Sequence, residues 1–200
     1  MSTSKTIREK IWTKLKDVAR PDTRFHMNFA EVIPDFEGSE AATDRVVQSE
    51  AYQNSRFAFI TPDNCLADLR RRMIEDGKPF VMSTYGIYRG FLYLDPATVP
   101  EGAALYASWL DGMEHFGVPI TLEEIAQKGR FDYLVTGASA VSVNGVRFGK
   151  GHGFLTSNGA CSPILALWMN RRPCMPSFMT CSLSKSSCSH PRPIFWLIPS

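Results

Sequence analysis

Residues 56–83 read RFAFITPDNCLADLRRRMIEDGKPFVMS. Arg56 to Thr61 is a short apolar run of the kind a buried strand needs. Pro62-Asp63-Asn64 supplies turn chemistry and a helix start, and Asp63 is read there as a helix-start residue rather than a catalytic acid. LADLRRRMIEDGK continues as a helix that Gly77 stops. Pro79 to Ser83 returns as a second apolar run. Strand, helix and strand at this spacing predict a βαβ unit, and a crossover of this length leaves its two strands parallel.

Working outward, SKTIREKIWTKLKDVAR (4–20) places Ile7, Ile11, Trp12, Leu15 and Val18 at three- and four-residue steps, which predicts a helix ended by Pro21. Residues 21–38 read as a connection with a short helix. A helix is expected over 39–53, with Val46 and Val47 facing inward. On the C-terminal side, Leu92, Leu94 and DPATVP read as a loop rim. Thr121 to Lys128 reads as a helix with a capping box, Thr121 and Glu124 being three residues apart. Phe131 to Val135 is a third strand, and Asn144-Gly145 is a hairpin-turn dipeptide. The fold class expected is α/β, a mainly parallel sheet flanked by helices in a three-layer sandwich, disrupted after residue 154. The chain shows no internal repeat.

The break at 154 comes from composition. The 200 residues carry 22 basic and 20 acidic side chains, a net of +2. That balance gives no electrostatic case for nucleic acid or a membrane surface. Leu155 to Ser200, however, has four basic residues and no Asp or Glu. Residues 1–154 therefore hold 18 basic and 20 acidic residues. Four of the five cysteines and six of the 13 prolines also lie after 154. The expected organisation is a body over 1–154 and an atypical Ser/Pro/Cys-rich tail over 155–200 without native structure. Cys161, Cys174, Cys181 and Cys188 form no CxxC pair, so they read as reduced thiols rather than zinc ligands. The polar N-terminus lacks a signal-type apolar stretch and no segment is a membrane span. A cytoplasmic protein is expected.

The densest chemical signal is RFGKGHGF (147–154). Gly149, Gly151 and Gly153 alternate with Lys150 and His152, behind Arg147. Glycines let backbone N–H groups converge on an anion, and Lys150 and Arg147 add matching charge. The spacing is neither a P-loop nor a dinucleotide fingerprint.

In context, DYLVTGASAVSVNGVRFGKGHGF resembles the signature of the 5-formyltetrahydrofolate cyclo-ligase (methenyltetrahydrofolate synthetase) family. Gly145, Arg147, Phe148, Gly149, Gly151, Gly153 and Phe154 fall on its G-x-R-[LF]-G-x-G-x-G-[YF] pattern. IREKIW and TPDNCLADLRRRMIEDGKPFVMSTYGIYRGFLYLDP extend the likeness, which is nearest the methenyltetrahydrofolate synthetase domain-containing branch and covers about residues 4–154. The resemblance implies a ligase of one-carbon folate metabolism. ATP phosphorylates the formyl oxygen of 5-formyltetrahydrofolate, and ring closure gives 5,10-methenyltetrahydrofolate, ADP and phosphate. It implies Mg²⁺ as assistant, a reduced folate as the small-molecule partner, and ATP-binding roles for Lys5, Arg8, Arg147, Gly149, Lys150, Gly151, His152 and Gly153. Such a reaction needs positioning and charge neutralisation more than covalent help.

Two departures qualify the match. The family's N-terminal K-x-x-x-R is met by Lys5 and Arg8 at three-residue spacing, with Ser4 in the lysine's place; both still share a helix face. The acidic residue after the aromatic pair is missing, since Leu155 and Thr156 stand there. Leu155 to Cys161 can be back-translated so that a one-base shift reads Phe-Asp-Phe-Glu-Trp-Gly-Met. That shift restores both the aromatic pair and the Asp in register. The coding frame is therefore expected to change after Phe154, with the metal-side carboxylate and later strands lost and a central strand left as an open edge.

Other candidates carry less. Tyr85, Tyr88 and Phe91 follow the second strand, at the sheet end where α/β ligands bind; they read as aromatic core packing or as walls of a folate pocket, Tyr85 and Tyr88 being the candidates for the pocket. Arg70, Arg71 and Arg72 read as a solvated helix face. His26 and His115 read as ordinary surface or core histidines. No catalytic residue and no metal ligand is singled out. A second class of function fits the same residues: a nucleotide- or folate-binding protein without turnover, or an RNA-associated relative.

Overall fold

The computed structural model describes residues 4–141, 147–150 and 177–180. Its helices are α1 (Ser4–Leu15), α2 (Ser39–Val47), α3 (Glu50–Gln53), α4 (Ala67–Glu75), α5 (Ala104–Ser108), α6 (Leu110–Phe116) and α7 (Leu122–Lys128). Its strands are β1 (Ala58–Ile60), β2 (Phe80–Ser83), β3 (Phe91–Leu94), β4 (Val118–Ile120), β5 (Tyr133–Ala138), β6 (Ala140–Val141), β7 (Arg147–Phe148) and β8 (Ser177–Thr180). Six of them form one sheet in the order β4-β3-β2-β1-β5-β8. The pairs β1–β2, β1–β5 and β5–β8 are parallel; β2–β3 and β3–β4 are antiparallel.

The predicted βαβ unit is therefore present, with Ala58 opposite Phe80 and Ile60 opposite Met82. The sheet is α/β with helices on both faces, but parallel over only part of its width. The difference lies in the stretch read as a loop rim. Leu92 and Leu94 belong to β3, both buried. Only pairing to β2 reveals it, because a four-residue strand is too short for its own period to declare it. β8 lies in the tail and pairs with β5 from Val135–Ser177 to Ala138–Thr180, so the expected open edge of β5 is covered there. The turn Asn144-Gly145 lies outside the described residues; the antiparallel β6–β7 pair that flanks it is described.

Packing follows strand alternation. On one face Ala58, Ile60, Phe80, Met82, Leu92, Leu94, Tyr133 and Val135 meet α2, α4, α5 and α6. On the other, Phe59, Val81, Phe91, Ile120 and Leu134 meet Ile125 of α7. Phe91 is thus core packing rather than a pocket wall. The Thr121–Glu124 capping box is formed at the start of α7.

Two helix boundaries differ from the periodicity. The first helix stops at Leu15, because the Val18 and Ala19 N–H groups fold back on the Leu15 carbonyl and Ala19 then pairs with Phe36. The 39–53 helix is two, since the Ser49 hydroxyl accepts the Tyr52 N–H and caps a new helix. Through Leu15, α1 packs on Phe29, which lies in the connection 21–38.

Candidate functional site

Parallel pairing brings the C-terminal ends of β1, β2 and β5 to one edge of the sheet, and the residues just beyond them build the site. After β1, the Thr61 hydroxyl donates to the Asp63 carboxylate at 2.5 Å, and the Gly137 N–H of β5 donates to it at 3.0 Å. Asp63 does not cap the following helix through its side chain. It ties the end of β1 to β5. Gly137 permits this closeness, since a Cβ there would lie 2.6 Å from the Asp63 carboxylate oxygen.

Arg70 of α4 holds the same turn from behind. Its side chain is buried, 1% exposed, and its guanidinium donates to the carbonyls of Thr61 (2.9 Å), Asp63 (3.0 Å) and Ser108 (2.7 Å). Burial pulls its pKa down to about 10, against the opposing charge of Asp63. The solvated-face reading is corrected here. Arg70 follows Leu69 and shares the core-facing side with Met73. Arg71 pairs with Asp68 and Glu75, and Arg72 with Asp44, in ordinary ion pairs.

After β2 comes a tight turn carrying Tyr85. Its ring stacks on Phe25 at 4.9 Å, and its hydroxyl donates to the Glu31 carboxylate at 2.7 Å. Burial and that carboxylate push the phenol pKa up, so Tyr85 stays a protonated donor. Lys150 reaches the same place from the end of the β6–β7 pair. Its ammonium donates to the Glu31 carbonyl at 3.0 Å and lies 5.1 Å from the centre of the Tyr85 ring. The loop that presents Phe25 and Glu31 is held by Asp22, whose carboxylate accepts from the Asn64 amide (2.5 Å) and from the Phe25 and Arg24 N–H groups. Burial pulls the Asp22 pKa up, but these hydrogen bonds outweigh it and leave it lowered.

The site thus unites Tyr85 and Lys150 of the sequence candidates. Tyr88 departs from Tyr85: it is 86% exposed, its ring lying over Gly86. Lys5 and Arg8 share α1, the first exposed and the second half-buried. The backbone of Arg147 pairs with Val141 in β7, and Gly149 leads to Lys150. Gly151, His152 and Gly153 lie outside the described residues, as do Leu155, Thr156 and the tail cysteines. His26 and His115 are exposed. Sequence reasoning passed over Asp22, Phe25, Glu31 and Asn64. The run PDTRFHMNFAE has no period, and its only signal was aromatic and acidic residues crowded into one connection.

A divalent cation fits the described residues poorly. Among them no three His, Cys, Asp or Glu side chains gather. Glu31 and Asp22 are engaged by Tyr85 and by Asn64 and two N–H groups, rather than held open. Among the described residues no helix is long and apolar enough to cross a membrane.

Residues 1–161 are matched by a family model, the 5-formyltetrahydrofolate cyclo-ligase family. The chain belongs to that family. Three relatives carry the name methenyltetrahydrofolate synthase domain-containing protein. The Danio rerio protein is 29% identical over 154 residues, 74% of this chain and 38% of its own length. That of Mus musculus is 28% identical over 155 residues, 74% of this chain and 39% of its own. That of Homo sapiens is 27% identical over 152 residues, 74% and 38%. The chain spans about two fifths of the length of these relatives. The cyclo-ligase match takes in β1 to β7 and Lys150, and ends before β8.

Proposed function

We propose that this chain is an ATP-dependent ligase that converts 5-formyltetrahydrofolate to 5,10-methenyltetrahydrofolate. Attack of the formyl oxygen on the γ-phosphorus releases ADP; ring closure on the formyl carbon then expels that oxygen as phosphate. The observation that carries this reading is the Lys150 ammonium standing against Tyr85, in the turn that leaves the C-terminal end of β2. A phosphate there gains a point charge, and Gly149, Gly151 and Gly153 are assigned to the nucleotide because glycine lets backbone N–H groups approach an anion. Arg147 and His152 are assigned to the nucleotide as well, as are Lys5 and Arg8 of α1. Tyr85 and Tyr88 are assigned to the folate side.

The functional body is 1–154. The family match ends a few residues past Phe154, and the loss of all acidic residues begins there. The loss of acidic residues supports a change of coding frame at Leu155, the frame-restored chain continuing Phe-Asp-Phe-Glu-Trp-Gly-Met. A second reading, a nucleotide or folate binder without turnover, is favoured by Leu155 and Thr156 standing where the family motif has an aromatic residue and an acid.

The test is spectrophotometric. The written and the frame-restored chains are each given 5-formyltetrahydrofolate with and without MgATP, and the methenyl chromophore is followed. Product from the frame-restored chain that needs ATP, and falls at least about tenfold in Lys150→Ala, is the expected result. Nucleotide binding without product in both chains overturns the enzyme reading in favour of the binder.

A further inference from the structure

Lys150 carries the charge of the glycine loop, yet its side chain does not hang free. Three segments far apart in sequence hold it: the connection at Glu31, the turn at Tyr85 and the β6–β7 pair. One ammonium N–H is used by the Glu31 carbonyl at 3.0 Å, and the Tyr85 ring lies 5.1 Å away. The ring is itself fixed twice, by Phe25 against it at 4.9 Å and by the Glu31 carboxylate on its hydroxyl at 2.7 Å. A phenyl ring and an ammonium already lie against Tyr85, which makes it a poor open wall for a flat ligand. It is a good bracket for a cation, because the face of an aromatic ring attracts an ammonium without binding its hydrogens directionally.

We propose that Tyr85 and Glu31 are positioning residues for Lys150: they aim its ammonium toward the phosphates of a nucleoside triphosphate at the ends of the parallel strands. Among the described residues the ammonium donates to the Glu31 carbonyl alone, which leaves two hydrogens for an anion. A lysine has four rotatable bonds, and restricting them before the ligand arrives removes part of the ordering cost from binding. The Glu31 carboxylate acts through the Tyr85 hydroxyl. Phe25 completes the bracket from the other partner of the stack. This rests on the nucleotide-dependent function proposed above, and it moves Tyr85 from the folate side to the nucleotide side.

The experiment is a double-mutant cycle on nucleotide affinity, read by calorimetric titration of a non-hydrolysable ATP analogue with Mg²⁺ into the full chain. Tyr85→Leu is expected to weaken binding about fivefold to tenfold. Tyr85→Phe, which keeps the ring, is expected to recover most of that loss, and Glu31→Gln, which keeps the Glu31 carbonyl, to lose no more than Tyr85→Phe does. In a Lys150→Ala background, Tyr85→Leu is expected to have no further effect. The wild-type fold is checked by circular dichroism for each variant, and Tyr85→Phe serves where Tyr85→Leu fails to fold. Full additivity of Tyr85 and Lys150, or no change in affinity in Tyr85→Leu, overturns the proposal. Nucleotide binding without methenyl product overturns only the enzyme reading, whereas no nucleotide binding by the wild-type chain overturns both.

Discussion

The two halves of the sheet do different work. β2, β1, β5 and β8 run parallel, so the loops that leave their C-terminal ends emerge on one edge. Asp63, Tyr85 and, through the β6–β7 pair, Lys150 come from three such departures. β3 and β4 run antiparallel, and successive loops leave on opposite edges. That half ends in Val118, 61% exposed, and in Lys128 stacked 3.9 Å over Tyr93; the residues that line a pocket there, Glu124, Gln127 and Lys128 among them, come, Tyr93 apart, from the single stretch 118–128. Parallel pairing concentrates side chains from distant parts of the sequence; antiparallel pairing distributes them.

The contrast is open to attack where the parallel edge is most tightly held. Arg70→Ala takes the guanidinium from the Thr61 and Ser108 carbonyls, leaves the Asp63 carbonyl with the Leu66 N–H, and opens a cavity. A loss of about 3 kcal/mol or more is expected in urea unfolding, with nucleotide affinity falling too. Arg70→Met, which refills the volume without the donors, should recover only the cavity part. An Arg70→Ala chain as stable as wild type would mean that the edge is not held from behind.

A smaller effect is expected in front. Gly137→Ala sets a methyl group against the Asp63 carboxylate and should separate β1 from β5 at their ends, at about 1–3 kcal/mol. Its mark is loss of amide-exchange protection at Gly137 and Thr61 beyond the global change. Unchanged protection there would dissolve the tie between the strands. The smallest effect belongs to the antiparallel half. Thr121→Ala removes the cap of α7 and should lower Tm by about 2–4 °C while nucleotide affinity stays put. A loss of affinity in that variant would show that the two halves are coupled.

The sequence carried the local rules. Pro, Gly and capping residues bounded the helix of the βαβ unit and α7, and apolar runs marked β1, β2 and β5. The glycine-lysine alternation singled out Lys150. Each is a property of neighbouring residues, so it is legible without knowing the partner.

Tertiary structure alone decided the rest. It made β3 from a stretch that looked like a rim, because a strand of four residues is defined by what it pairs with. It buried Arg70, because three carbonyls from separate turns converge on one guanidinium and satisfy it away from water. It split Tyr85 from Tyr88, three residues apart, one bracketed by Phe25 and Glu31 and the other left in solvent. And it set Lys150 against Glu31, a contact across 119 positions that no local pattern can announce. Chain neighbours fix which elements form; only their convergence fixes which polar groups are desolvated together, and that desolvation makes the site.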